Sequence, residues 1–304
     1  MSNNNIILKK SGDAIEIYVF NSKSGNDNCV KYCLRNIKKP YTDGGTYQNQ
    51  DLWRFHELYV CKMGADGYPE QRLSYPVVNG GEWECALQID GTPDFHGGYH
   101  GYEYWKNVTM SADGAEIELK DNEWKTVKEF TFCQESEIYR QGTQDELMAL
   151  HKKYYVFKDG AVSLHQEIIW KQSVKILYSY LAMLPVRRTS DDTPTGDVIS
   201  DSIKVNDLPT VYDIKEVGHN TPVSNNYGEV IDVRSAEIWG KESGIVARLD
   251  IKCEYKPGNT FFVQNNPTYN KLYFSYAGGE NGYITAKEEK WEIDTRYEIY
   301  CTQN

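Results

Sequence analysis

The sequence predicts an all-β protein built as a large antiparallel β-sandwich with at most one or two short helices. Three observations carry this expectation. Apolar and polar residues alternate with period two in segment after segment, Gly, Asn, Asp and Pro clusters separate those segments, and aromatic residues make up 13% of the chain.

The alternation begins at Ala14–Phe20 and continues through Cys29–Ile37, Phe55–Met63 and Glu82–Ile89. Asp113-Gly114 separates the strand-like runs Trp105–Met110 and Ala115–Leu119, and Asp159-Gly160 separates Lys153–Phe157 from Ala161–Trp170. Both read as tight hairpin turns. Further strands are expected at Val174–Leu184, Glu229–Trp239, Ile245–Tyr255, Lys271–Tyr276 and Lys290–Tyr300. The best helix signal is Thr143–Glu146 before Leu147–Leu150, which fits a capping box but fits a strand edge equally. No fixed-period repeat occurs. The polar run 189–196 is the one linker-like stretch, and because the flanking strands look alike the expectation is a single domain over 1–304; a boundary in that loop is the alternative.

A net charge of −11 argues against nucleic acid as partner, since phosphate backbones demand a basic surface. It leaves room for an acidic polysaccharide gripped by a local basic cleft. No apolar run approaches the ~18 residues that span a bilayer. The seven cysteines (29, 33, 61, 85, 133, 253 and 301) show no metal-type pairing. Their odd number, and the absence of a signal peptide after Met1, point to cytosolic synthesis with free thiols. No nucleophile elbow, phosphate-cradling loop or dinucleotide fingerprint occurs.

Chemistry concentrates in Asp94-Phe95-His96-Gly97-Gly98-Tyr99-His100-Gly101-Tyr102-Glu103-Tyr104-Trp105. Glycines let a backbone turn sharply, so such a loop can aim His96, His100 and Glu103 into one space, with Asp94 beside them. Tyr99, Tyr102 and Trp105 would supply a wall for a sugar ring. Three readings stand: an acid/base or recognition site, a divalent metal at His96, His100 and Glu103, which is not favoured because the spacing matches no zinc signature, and a glycine-rich turn whose histidines cap backbone groups.

Elsewhere, His165 falls on the more polar face of its strand, and Tyr178 and Tyr180 share a face of the next. If a hairpin brings them together, a tyrosine could donate a proton near His165. Arg140, and Arg187 next to Arg188, suit carboxylate binding. His219 and Asn225-Asn226-Tyr227 are weaker loop candidates. Each has an ordinary structural alternative in core packing or a solvated surface.

Phe95–Tyr102 followed by Trp105 resembles the His-Gly-Gly-x-x-Gly-Phe…Trp stretch of galactose-mutarotase-like (aldose epimerase) proteins, which implies a β-supersandwich. Leu177-Tyr178-Ser179-Tyr180-Leu181 sits where that family carries Asn-His-Ser-Tyr-Phe. The family's catalytic acid would fall on Tyr178, so simple mutarotation is not implied. A second resemblance covers Asp51-Leu52-Trp53, Gly80–Leu87 and Asp94–Glu103, which look like a module of tail-fibre or tail-associated proteins of phages and prophages of Gram-positive bacteria. It implies a cell-surface glycan as ligand and a virion tail assembly or homo-oligomer as setting, although no heptad calls for a coiled coil. Tyr102 stands where those segments often carry an acid.

The expected function is therefore a carbohydrate-active protein, with a polysaccharide lyase as the leading form. His96 or His100 would be the base, Arg187 or Arg140 would neutralise a uronate carboxylate, and Tyr99 or Tyr178 would protonate the leaving oxygen. Asp94 with Glu103 would serve a hydrolase less well. A non-catalytic glycan-binding module and an epimerase-like protein are the alternatives. No cofactor is expected.

Overall fold

In the computed structural model, residues 5–24, 27–39, 50–78, 80–143, 145–189, 199–214, 220–222, 233–240, 243–265 and 268–302 are described. His219, Asn225, Asn226, Tyr227 and most of the 189–196 run lie outside them.

Strands account for nearly all of the regular structure among these residues. β1 (Ile6–Ser11), β2 (Ala14–Val19), β3 (Asn28–Lys39) and β4 (Gln50–Met63) form an antiparallel meander, with β5 (Pro69–Ser74) paired to the end of β4. β6 (Ala86–Ile89) and β7 (Phe95–His96) precede one 3-10 turn at Gly98–His100. Then come β8 (Glu103–Ala112), β9 (Ala115–Glu116), β10 (Trp124–Val127), β11 (Phe130–Tyr139), β12 (Leu147–Lys158), β13 (Ala161–Trp170) and β14 (Lys175–Arg187). The chain ends through β15 (Ser202–Val205), β16 (Tyr212–Asp213), β17 (Asn220–Pro222), β18 (Ser235–Trp239), β19 (Ile245–Cys253), β20 (Thr260–Asn265), β21 (Tyr269–Ile284) and β22 (Lys290–Cys301).

These strands make two sheets. The large one runs β10-β1-β2-β3-β4-β8-β11-β12-β13-β22-β19-β18-β15-β16, and the small one runs β17-β20-β21-β14-β6-β7. Pairing between the strands is antiparallel except for a contact of β4 with β8 at Asp51 and Tyr104. The two sheets face each other, and the period-two pattern explains why: Leu34, Phe132, Leu164 and Ile299 from the large sheet share one apolar cluster with Leu87, Leu184, Leu272 and Phe274 from the small one. That cluster reaches from Ile6 to Ile299, and β22 pairs with β13 on one side and β19 on the other, so chain from both sides of the 189–196 run contributes to it.

Both hairpin turns form as the sequence indicates. Asp113 and Gly114 have φ of 52° and 81°, and Asp159 and Gly160 have 49° and 78°, the paired left-handed geometry whose twist matches flanking strands. Where the capping-box reading expects a helix, β12 begins at Leu147, so the strand alternative describes this segment. Residues 82–85 lie outside β6, so the strand expected over Glu82–Ile89 forms only in its second half.

One expectation fails for a topological reason. β13 and β14 are neighbours in sequence but belong to different sheets, because the chain crosses between layers after Trp170. His165 and Tyr178 are therefore not brought together by a hairpin.

Phe55 is the hub of the interior. Its ring lies 4.8 Å from Trp83, 5.2 Å from Tyr155, 6.0 Å from Tyr32 and 6.2 Å from Tyr297, centroid to centroid. Phe55→Ala is expected to cost about 3–5 kcal/mol, read as a lower urea midpoint with an unchanged denaturant slope.

Candidate functional site

The Asp94–Trp105 segment divides between interior and surface. His96 is completely buried. Its Nε2 accepts the Gln141 N–H at 2.9 Å, which leaves Nδ1 protonated to donate to the Leu87 carbonyl at 3.3 Å. Burial holds its pKa down at about 4, so the ring is neutral and both nitrogens are engaged. His96 is a structural residue, which removes it as the expected base.

Glu103 is also sealed inside. One carboxylate oxygen accepts the Gly98 N–H at 2.7 Å; the other accepts the Ser136 hydroxyl at 2.6 Å and lies 3.0 Å from His151 Nδ1 and 3.1 Å from Lys153 Nζ. Burial opposes its ionisation, but Lys153 and His151 outweigh it and keep the pKa well below the carboxylate range. Gln166 donates its amide to the Leu181 carbonyl at 2.6 Å, which turns its oxygen towards His151 Nε2 at 3.1 Å. Burial pushes the His151 pKa down against the pull of Glu103 and Gln166, which contact its two ring nitrogens. The network joins the loop, β8, β11, β12, β13 and β14 through the interior. Tyr102, with φ of 55° and almost no exposure, packs its ring on His96. Neither Glu103 nor Tyr102 can meet a ligand. Gly98 is required here: its φ is +52°, and a Cβ would come within 2.6 Å of the Cys85 carbonyl oxygen.

His100 lies on the other side, itself buried at 7% exposure. Its Nε2 pairs with Glu82 at 2.6 Å, and Asp94 stands 3.9 Å from Nδ1. Glu82 also pairs with Lys271, a buried lysine on β21. Burial works against the Glu82 charge, but His100 and Lys271 prevail and bring its pKa down to about 2. Glu82 is placed by its neighbours: Arg54 donates to the carbonyls of Gly80 and Gly81, and Gly81 packs so tightly on Pro185 that a Cβ would lie 2.9 Å from its ring.

From His100 a row of rings crosses the outer face of the small sheet. Phe95 lies 5.1 Å from His100, Tyr180 5.7 Å from Phe95, and Tyr178 5.7 Å from Tyr180, with interplanar angles of 37°, 29° and 20°. Tyr273 and Phe262 stack on each other at 4.8 Å and flank Tyr180. This face is set by strand parity. On β14 and β21, Leu184, Val186, Leu272 and Phe274 point into the main core, while Tyr180, Met183 and Tyr273 point away. The row ends at Tyr178, 38% exposed, and Tyr99 stands beside His100 at 41%. Burial raises the Tyr180 and Tyr273 pKa values, so these phenols are donors rather than bases.

The structure thus gathers Asp94, Tyr99 and His100, and connects them through Phe95 and Tyr180 to Tyr178. The other sequence candidates lie apart. Trp105 is exposed but donates its indole N–H to Asp51 at 2.7 Å. Arg140 pairs with Glu146 at 2.6 Å behind His96. Arg187 lies near the Tyr75 ring, seven residues from Tyr180 along β14, or roughly 20 Å by strand rise. His165 is on the outer face of the large sheet, its nitrogens 2.7 Å from Asp294 and 3.2 Å from Glu167; these carboxylates overcome partial burial and raise its pKa. A metal set of His96, His100 and Glu103 does not converge, since each is engaged with different partners. Glu82, Lys271, Tyr273 and Phe262 were not singled out as site residues. Glu82 was visible only inside the Gly-Gly-Glu-Trp stretch, the alternation of Lys271–Tyr276 gave the one hint of Lys271 and Tyr273, and Phe262 falls in no expected strand.

No family model matches the sequence, and no curated protein matches it either. Among solved structures, the GH36 α-galactosidase AgaB of Geobacillus stearothermophilus aligns with 97% of this chain and 41% of its own, at a TM-score of 0.50 and 8% identity. AgaA of the same organism aligns with 94% and 40%, at 0.46 and 9%. A Klebsiella pneumoniae protein provisionally assigned as an aldose 1-epimerase aligns with 91% and 85%, at 0.37 and 9%. The chain spans about two fifths of the length of these galactosidases. At such identity the likeness to AgaB speaks to the fold alone.

Two outcomes test the site's electrostatics. Glu103→Gln leaves the Lys153 ammonium buried without its carboxylate and should destabilise the fold by about 3–5 kcal/mol in urea titrations. Because the folded-state pKa of Glu82 lies below its ordinary value of 4.5, its contribution is fully present above pH 4.5 and is lost as pH falls towards 2. The urea midpoint should fall through that window, and more shallowly in Glu82→Gln.

Proposed function

We propose that the chain is a carbohydrate-recognition domain that binds a sugar on the outer face of the small sheet. The observation that carries this reading is the ring row from His100 to Tyr178. A pyranose presents an apolar C–H face and a rim of hydroxyls. Tyr178 and Tyr99 offer the flat, partly exposed surfaces for the first, and Asp94, Glu82 and His100 offer acceptors and donors for the second. The fold shared with an α-galactosidase supports this reading. We take 1–304 as one domain, on the strength of the continuous core.

Charge selects a neutral glycan over an acidic one. Lys271 is paired with Glu82, Asp94 adds a second carboxylate, Arg54 over the Tyr99 ring is buried and bonded to the Gly80 and Gly81 carbonyls, and neither Arg140 nor Arg187 stands in the cluster, so a uronate would meet no exposed guanidinium. The same separation disfavours a lyase, which needs its base and its carboxylate-neutralising group at one centre. The phage-tail setting implied by the 50–105 resemblance gains no support from the comparisons. An epimerase-like activity is the second reading, favoured by the 2.6 Å contact of His100 with an ionised Glu82, which is how a carboxylate orients an imidazole for proton transfer.

Binding to a panel of neutral and uronate oligosaccharides, read by calorimetry with parallel assays for anomer interconversion, tests both. Retained binding without turnover is expected, with Tyr178→Ala weakening it about tenfold or more and leaving the fold intact. Undiminished binding by Tyr178→Ala would place the ligand elsewhere, and sugar interconversion lost in His100→Ala would favour the second reading.

A further inference from the structure

The outer face of β1–β4 carries a second apolar cluster, remote in the fold from the ring row. It is built round Tyr18, Cys29, Tyr59 and Cys61, with Tyr75 and Trp124 packed against it. Cys29 and Cys61 stand directly opposite each other in the antiparallel register of β3 and β4. Directly opposed residues have Cα atoms about 4.5–5.5 Å apart, within the span that a disulfide bridges. Both side chains lie on the same face, because their neighbours Val30 and Val60 point into the main core.

The opposed thiols act on each other's ionisation, with Cys61 and burial raising the Cys29 pKa. Cys29, helped by Lys31 and by Arg72 opposite on β5, brings the Cys61 pKa down against the burial that opposes its charge. Cys61 is also the more accessible, at 6% against 0% for Cys29. Cys33 faces Glu57 on β4 and Glu16 on β2, and Cys133, Cys253 and Cys301 likewise have no cysteine opposite them.

We propose that Cys29 and Cys61 are a built-in thiol pair that closes to a cross-strand disulfide on reaction with a small disulfide such as oxidised glutathione. The Cys61 thiolate attacks one glutathione sulfur, forming a mixed disulfide and releasing one glutathione thiolate, which takes up the proton Cys61 gave to solvent. Cys29 then loses its proton and attacks the Cys61 sulfur; the Cys29–Cys61 bond forms as the second glutathione leaves. Two protein thiols are oxidised and one glutathione disulfide is reduced. The product staples the two longest strands of the first meander beneath β5.

The full chain is incubated with oxidised glutathione, unfolded in alkylating agent and weighed intact, then digested without reduction. The expected result is that two of the seven cysteines escape alkylation, that one linked peptide pair contains Cys29 and Cys61, and that the oxidised protein melts several degrees higher. Cys29→Ser should instead trap one glutathione on Cys61, whereas Cys33→Ser should still close the bond. Alkylation of all seven thiols, a linkage between other cysteines, or a glutathione adduct that persists on wild-type Cys61 would each overturn the proposal. The peptide map of the wild-type chain decides the matter even if a variant fails to fold.

Discussion

The buried carboxylate of Glu103 is the constraint on which the candidate site rests. Four groups converge on it: a loop N–H, a hydroxyl on β11, and an imidazole and an ammonium on β12. An ionised carboxylate persists in such a place only when its lone pairs are met and its charge is balanced. Satisfying it draws the glycine-rich loop inward against Cys85, and the turn at Gly98–His100 then carries His100 across to Glu82. Residues that read as catalytic in the sequence instead hold in place the turn that carries His100 to Glu82 and leaves Tyr99 exposed beside it.

The same economy shapes the small sheet. Strand parity gives one face to the core and the other to the rings: Tyr178 and Tyr180, two apart, share the ring face, and irregular pairing of β14 with β21 between Ile176 and Ala182 shifts the parity so that Met183 rather than Ala182 joins Tyr180. Lys271 is drawn under the rings by Glu82, 189 residues away. Hydrophobic pattern therefore sets the layer, and long-range ion pairs set which polar groups reach its rim.

The fold class was legible because period two is a local property that survives a change of sheet, although Ile6–Ser11, Phe130–Tyr139 and Thr260–Asn265 are strands outside the expected set. The site was legible only in outline. The richness of Asp94–Trp105 in His, Tyr and Glu marked the right segment, but a loop with left-handed residues at 97, 98, 101 and 102 has no periodicity from which inside and outside can be told. His96 and Glu103 consequently looked like His100. Lys271 was invisible for the opposite reason: in an alternating strand a lysine reads as solvated, and only the distant Glu82 makes its burial tolerable. The layer crossing after Trp170 separated His165 from Tyr178 although a hairpin was the natural reading.

An irregular loop is ordinarily the part of a protein that opens most readily. Here the Gly98 amide is bonded to a fully buried anion that is itself tied to the central strands. Its hydrogen can reach water only when that bond opens, so the Gly98 amide should exchange on the timescale of the central strands rather than that of a surface loop.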